Sequence, residues 1–505
     1  MATIEIFDYY LLDVLFFFKQ ASAAIAYHAS TIFSKLDVII IFLFVPQMVA
    51  FFLLGLEGMI IDVIYWVNNL GPQIISVEEF EGWKRLPQKR IGVMVACWHE
   101  EDVLEAMVTG NLAHVEYDNY EFFLGVYPND SGTLGIAQRL ETANPRVHCI
   151  VNSKEGPTCK GQMINEIVKN IMRINEESDA PFDVVMYHDS EDAIHPQSLY
   201  VVNKFLGEYD FVQIPVFSFN LPWKLLTGAT YMDEFAESHL KELVVRGFCK
   251  GAIPSAGVGT AFTKKFLTEF LPHNDGTLFN PKSLTEDYEL GIRCHRIGIK
   301  QILANICIVD GKNKNFVSTR EFFPQDYKAA VRQKSRWNLG IMYQGFINLG
   351  WGNNIRENYF LYRDRIGLLS TPLSFFSGIL FLYAIVRYTM GVNFIQMAVE
   401  RNLVPENISA LFKIVLLSNF LFMLNRLLHR AFFTYSLYGI KHALLSPVRL
   451  IYGNIINFFA LSKATNQFFT SKWTGKAPKW LKTSHVAPIM TPTTSVEMNK
   501  KEVTA

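Results

Sequence analysis

In the stretch Val184 to Pro196, VVMYHDSEDAIHP, an apolar run leads directly into Asp189, Glu191 and Asp192. Carboxylates packed this closely repel one another by about a kcal/mol or more per pair unless a cation or hydrogen bonds offset them. Hard oxygen ligands at this density suit Mg2+ or Mn2+, ions that keep several waters and complete their shell with substrate phosphates. The plainer reading is an acidic helix start, which the helix dipole favours. A second cluster, Thr285, Glu286 and Asp287, opens TEDYELGIRCHRIG. Thr285 is placed to cap a helix whose first turn holds the acids and whose later turn holds Arg293 and Arg296. In FFPQDYKAAVRQKSRWNLG, Gln333, Arg336 and Trp337 fall at i, i+3 and i+4, so an amide, a guanidinium and an indole share one helical face. Such a face is poor core and good ligand surface.

The succession Asp189-Ser190-Glu191, Thr285-Glu286-Asp287 and Gln333-x-x-Arg336-Trp337, in this order and at these separations, resembles the family 2 glycosyltransferases. The membrane-embedded processive branch of that family carries the Gln-x-x-Arg-Trp element and couples sugar transfer to polymer export. The wording WHEED, VYPNDS, GPTCKG, HDSEDAIHP and WLKTSH resembles bacterial inner-membrane glycosyltransferases of the phage-receptor, exopolysaccharide-secreting type, over the stretch from Val93 to His485.

The resemblance implies an α/β domain of the GT-A type joined to an α-helical transmembrane region, and an inverting transfer from a UDP-sugar, an N-acetylhexosamine donor, to a growing polysaccharide. It makes Asp287 the general base with Glu286 beside it, and Asp189 and Glu191 the holders of Mg2+ or Mn2+. Where the family most often has Asp-x-Asp, this chain has Asp-x-Glu followed by Asp192, so Asp192 is the alternative second carboxylate. Glu100 and Asp130 would approach the uridine, and Lys160 in GPTCKGQMIN the donor diphosphate, where Arg336 would assist. Gln333, Trp337 and the Gly257 and Gly259 of SAGVGTAF would line the acceptor. His99 stands where the family often has Asn, the first strand ends in Ala-Cys-Trp rather than Pro-x-x, and His195 is left out of the metal set. The implied setting is the bacterial inner membrane, crossed several times with the catalytic domain cytosolic, and the implied partners are the bilayer and a periplasmic or outer-membrane export partner. Two other readings are a single transfer to a lipid-linked acceptor and a non-catalytic secretion or receptor component; retention of all three motifs argues against the second.

Strands are needed to mount these acids. IGVMVAC from Ile91, Phe122 to Val126, Val147 to Val151 and Val184 to Tyr187 are apolar runs of parallel-sheet type separated by helical stretches. In a βαβ series ligands bind outside the carboxyl ends of the strands, which is where Glu100, Asp130 and Asp189 fall. FVQIPVFSFN resembles the strand that follows the metal motif in the family, and Pro324 to Leu339 reads as an amphipathic helix with the proline in its first turn.

Half of the 505 residues are hydrophobic, which is apolar for a soluble enzyme, and the net charge of zero with no basic run gives nucleic acid no footing. The six cysteines form no C-x-x-C pair and read as small buried hydrophobes of a reducing compartment. Val38 to Leu56, Ile366 to Val386, Ile408 to Leu424 and Leu444 to Leu461 are long and apolar enough to span a bilayer, and residues 9 to 33 form an interfacial or first spanning helix. Pro46 is placed to kink its helix. Lys84, Arg85, Lys89 and Arg90 mark a cytoplasmic flank. The expected divisions are 1–72 (membrane or interfacial helices), 73–315 (GT-A domain), 316–362 (interfacial helices with the Gln-x-x-Arg-Trp element), 363–470 (membrane helices) and 471–505 (a segment with a disordered tail).

Overall fold

The computed structural model describes residues 2–400 and 409–475; the expectations for Trp480-x-Lys482-Thr483-x-His485 and for the tail from Thr491 lie outside the described residues. The apolar runs become strands β1 (Ile91–Ala96), β2 (Tyr120–Val126), β3 (Val147–Val151), β4 (Val184–His188), β5 (Phe211–Gln213), β6 (Thr260–Thr263) and β7 (Gln301–Leu303). They form one sheet in the order β3-β2-β1-β4-β6-β5-β7. All neighbours are parallel except β6, which runs antiparallel to both β4 and β5. The continuous apolar character of β1 and β4 has a physical cause: both faces of the sheet are covered. Val93 packs with Leu104, Met107 and Phe122 on one face, while Met94, one residue on, packs with Phe123, Met163 and Ile167 on the other.

The topology fixes where chemistry can happen. Residues 97–101, 127–130 and 189–192 follow the carboxyl ends of three adjacent strands, β1, β2 and β4. Because β6 is antiparallel, its lead-in from Ser255 to Gly259 lies at that same edge, and the Gly259 amide donates to the Tyr187 carbonyl at 3.0 Å. FVQIPVFSFN is not one strand. It divides at Ile214-Pro215 into β5 and a short strand Val216–Ser218, which pairs in parallel with Thr319–Glu321. Proline has no N–H to give a ladder, so the chain leaves the main sheet there. A third small sheet joins Gln73–Ser76, Ile306–Asp310 and Asn313–Phe316.

One helix starts later than expected, and another starts where expected but without its side-chain cap bond. The helix Tyr327–Asn338 begins after Pro324, because Asp326 is its cap and accepts from the Ala329 amide at 2.7 Å. Thr285 precedes the helix Glu286–Arg296 but its hydroxyl makes no cap bond, being turned against Gly340, where a Cβ would collide with it. Of the cysteines, Cys97, Cys294 and Cys307 are buried; Cys149, Cys159 and Cys249 are only half-buried, and all six are free.

The chain divides into two compact units, Met1–Met59 with Pro372–Leu424, and Ile60–Thr371 with Asn425–Ala505. Residues 9 to 33 and the stretch from Val38 belong to one continuous helix, Ala2–Val67, with Pro46 inside it. Among the described residues four helical segments are long and apolar enough to cross a membrane: Lys35–Val67, Gly367–Thr389, Ala410–Tyr438 and Ile440–Thr474. Some ionisable groups inside such segments form ion pairs. In the first unit Asp37 meets Arg387 at 2.6 Å. In the second, Arg449 is 1 % exposed and grips Asp233 with two bonds of 2.7 Å. Removing one partner of such a pair strands a buried charge and costs about 3–5 kcal/mol. Arg449→Met is therefore expected to lower the thermal unfolding midpoint of the detergent-purified protein clearly, and Arg449→Met with Asp233→Leu to recover most of it.

Candidate active site

The loop after β4 presents the first acids. Asp192 has no exposure and faces inward: its Oδ2 accepts the Asp189 amide at 3.0 Å and meets His188 Nδ1 at 2.8 Å, while its Oδ1 has no hydrogen-bond partner among the described residues. Asp192 thus shapes the turn that leaves Asp189 and Glu191 at its rim. The residue that sequence reasoning missed is Glu321. Ligand atoms of Asp189, Glu191 and Glu321 all lie within 4.8 Å of one another, and burial together with the charges of Asp192, Glu191 and Asp189 pushes Glu321 well above the usual carboxylate range. Asp192 is not in this group. The donor set is oxygen only, and a buried carboxylate oxygen is left unbonded beside it, so the residues present fit a hard divalent cation. His195 is occupied elsewhere, between the Asn315 side chain at 3.0 Å and the Gln197 amide, and burial pushes it down to about 4.

Lys160, at the first turn of the helix Lys160–Glu177, connects this cluster to the second one. Its ammonium contacts Asp189 and donates to the Gly257 carbonyl at 2.7 Å. Burial alone would lower Lys160, but Asp189, with Asp287 and Glu286 behind it, holds it above the ordinary lysine value. Gly257 in turn has φ +86°, and a Cβ there would come within 2.6 Å of Asp287 Oδ2. Asp287 and Glu286 are both pushed up by burial; Glu286 is raised further by Asp287, while Lys160 and Arg336 pull both acids down. The guanidinium of the Gln-x-x-Arg-Trp element therefore acts electrostatically on the Thr-Glu-Asp acids, as one site requires.

The Ser255–Gly259 loop is pinned from beneath by Gln213, a residue with no exposure. Its Nε2 donates to the Ile214 and Val258 carbonyls, both at 2.8 Å, and its Oε1 accepts the Ala256 amide at 2.9 Å and the Thr260 hydroxyl at 2.7 Å. Gly259 has φ +64°, and a Cβ there would meet the Thr319 hydroxyl. Trp337 is half-buried, with its ring against Tyr231, Phe235 and Phe323 at 6.0, 6.1 and 6.5 Å. Gln333 keeps its Oε1 buried and without a hydrogen-bond partner among the described residues. Their helix is fastened to the helix Ile440–Thr474 by Lys334 to Asn457 at 2.9 Å, with Lys334 also paired to Glu234.

Glu100 and Asp130 lie at the ends of β1 and β2. The His99 amide donates to Asp130 Oδ2 at 2.6 Å, and Asp130 also caps the helix Ser131–Ala143, accepting from Thr133. Glu100 is buried, its amide donating to the Thr133 hydroxyl at 2.9 Å.

Comparison with known proteins places the chain in a family of sugar-transferring enzymes. The family described as "Glycosyltransferase like family 2" matches residues 87–340. The chain is 33 % identical over 461 residues to bacteriophage adsorption protein B of Escherichia coli strain K12 and to bacteriophage N4 adsorption protein B of E. coli O157:H7, covering 88 % of this chain and 62 % of each relative. It thus spans under two thirds of the length of the relatives it matches. Among solved structures it is similar to the mannosyltransferase PcManGT of Pyrobaculum calidifontis in complex with GDP-Man and Mn2+, at 13 % identity and a TM-score of 0.46 over 79 % of this chain and 98 % of that one. Residues 1–349 of TarS from S. aureus follow at 14 % identity and a TM-score of 0.32, over 77 % of this chain and 92 % of that one.

Proposed function

The chain belongs to glycosyltransferase family 2, and from that premise we propose that it is an inverting, metal-dependent enzyme of the bacterial inner membrane that adds sugars from a UDP-sugar to a growing polysaccharide and passes the product through its own membrane helices. The observation that carries the reading is the contact path Asp189, Lys160, Gly257, Asp287, with Arg336 acting on the last acid. It joins a cation-binding rim to a half-buried carboxylate whose raised pKa suits a general base. A Mg2+ or Mn2+ ion on Asp189 and Glu191, when bound, offsets charge on the departing nucleoside diphosphate. Lys160 and Arg336 add fixed positive charge there, Glu100 and Asp130 face the uridine, and Asp287 takes the proton of the acceptor hydroxyl with Glu286 beside it. Gly257 and Gly259 let the acceptor approach the loop backbone, while Gln333 and Trp337 hold the sugar already added. An export partner beyond the membrane belongs to this reading.

Release of UDP by the purified protein, screened over a panel of UDP-sugars with and without Mn2+, tests it; no release from any donor would sink the reading. Processivity has its own test. The attachment of the Trp337 helix to Ile440–Thr474 sets the acceptor face beside an apolar helix, and stacking on an indole holds a sugar by about 1 kcal/mol while leaving it free to slide. Trp337→Ala is expected to keep the fold and UDP binding yet yield short products or none. Polymer of normal length from the folded variant would leave Trp337 only its packing against Phe323, Tyr231 and Phe235.

A further inference from the structure

The reading above gives the cation two carboxylates, and the strand Thr319–Glu321 brings a third. We infer that Glu321 is a protein ligand of the same ion, so that Asp189, Glu191 and Glu321 together hold Mg2+ or Mn2+ in the nucleotide-free chain, before any donor arrives. The inference rests on the metal reading of Asp189 and Glu191 and adds to it a residue outside every motif that carries the family resemblance.

Geometry comes first. Ligand oxygens around one octahedral ion at about 2.1 Å stand about 3 Å apart when adjacent and about 4.2 Å apart when opposed. The three carboxylates, with ligand atoms within 4.8 Å of one another, need only small side-chain movements to reach that spacing. Their backbones are sewn together. Arg320 and Ala193 exchange two hydrogen bonds, of 3.0 and 3.2 Å, directly after the acidic loop. On its other side the strand pairs with Val216–Ser218, and the Phe219 amide donates to the Glu321 carbonyl at 3.1 Å. Glu321 is thus delivered to this place by main-chain pairing rather than by a mobile surface loop.

Charge points the same way. Exposed acids gather harmlessly because water screens them, but Glu191 is 7 % exposed and Asp192 has no exposure. Asp192 Oδ1 has no partner among the described residues, and a buried carboxylate oxygen left unbonded is costly. Lys160 meets Asp189 but its charge is shared with Asp287 and Glu286. A divalent ion would add positive charge where these acids crowd together. There is a consequence for the acceptor. Two residues after Glu321, Phe323 stacks on Tyr231 at 4.8 Å and meets the Trp337 ring, so an ion held by Glu321 steadies the strand that carries the floor of the sugar site.

The test is a titration of the full chain, purified in detergent without nucleotide, with Mn2+ followed by the loss of the free-ion electron paramagnetic resonance signal. Wild type is expected to bind one Mn2+. Glu321→Gln should weaken it by about tenfold or more, since affinity for hard cations follows the charge of the ligand set. Glu321→Asp, which keeps the charge on a shorter arm, should fall between them, and serves if the glutamine variant folds poorly. Metal-free Glu321→Gln should also unfold at a higher temperature than metal-free wild type, because one repelling carboxylate is gone. If Asp189→Asn weakens Mn2+ binding while Glu321→Gln and Glu321→Asp bind like wild type, the inference is overturned and the metal reading stands. If wild type binds Mn2+ only with UDP present, the inference is likewise overturned. If Asp189→Asn binds Mn2+ as wild type does, the metal reading itself falls and takes this inference with it.

Discussion

Asp287→Asn is expected to reduce sugar transfer by about 10²–10⁴-fold, the usual worth of a positioned general base, while UDP binding in the presence of Mn2+ stays close to wild type. The separation of effects follows from where the groups sit. Asp287 is half-buried at the start of the helix Glu286–Arg296, its Oδ2 next to Gly257, and Gly257 and Lys160 link it to Asp189. Asp189 is the acid at the rim itself, in contact with Lys160 and grouped with Glu191 and Glu321. Asp189→Asn should therefore weaken Mn2+-dependent UDP binding as well as turnover. Equal loss of UDP affinity in the two variants would contradict their separate roles. The direction of the Asp287 shift adds a second readout. Burial raises it, so it remains protonated, and useless as a base, to higher pH than an exposed aspartate. The acidic limb of the pH–rate profile should accordingly lie above the usual carboxylate range in wild type, and replacing Arg336, one of the cations that pull Asp287 down, should move that limb further up.

The parts of this site that could be read in the sequence are those in which several residues of one element declare themselves together. Asp189 with Glu191, Thr285 with Glu286 and Asp287, and Gln333 with Arg336 and Trp337 each form a short polar departure from an apolar or helical pattern. The strands that mount the first acids are buried on both faces, so they appear as unbroken apolar runs. What escaped was whatever depended on tertiary pairing. Glu321 lies in a three-residue strand, too short to show alternation, and its meaning comes from Ala193 across an isolated bridge. Gln213 looks like one polar residue within FVQIPVFSFN, and only the fold shows that its side chain bonds to Ala256, Val258 and Thr260, around Gly257. The missing cap at Thr285 and the later helix start after Pro324 share a cause. Thr285 has the right residue type for a cap and Pro324 the right type for a first turn, but Gly340 draws the Thr285 side chain away and Asp326 offers a better cap than the turn before it.

Gly257→Ala is expected to lose activity by about two orders of magnitude while costing only about 1–2 kcal/mol of stability, because its harm is one of position. At φ +86° an alanine is strained, and its methyl would stand 2.6 Å from Asp287 Oδ2. Ordinary contact needs about 3.4 Å or more. Either the carboxylate or the loop must move by most of an ångström, and the loop cannot move alone: Gln213 holds the neighbouring Ala256 and Val258, and Lys160 holds the Gly257 carbonyl while touching Asp189. A displaced base and a displaced lysine are the two outcomes, and both misplace groups that must act on one sugar. Gly298 supplies the control, since it has φ +84° and nothing within 4 Å of where a Cβ would be. Gly298→Ala carries the same backbone strain without the collision. Thermal unfolding should shift alike in the two variants, and UDP release should fall only in Gly257→Ala. If Gly298→Ala loses as much activity as Gly257→Ala, the loss comes from strain and stability, and the close approach of the loop to Asp287 has no part in transfer.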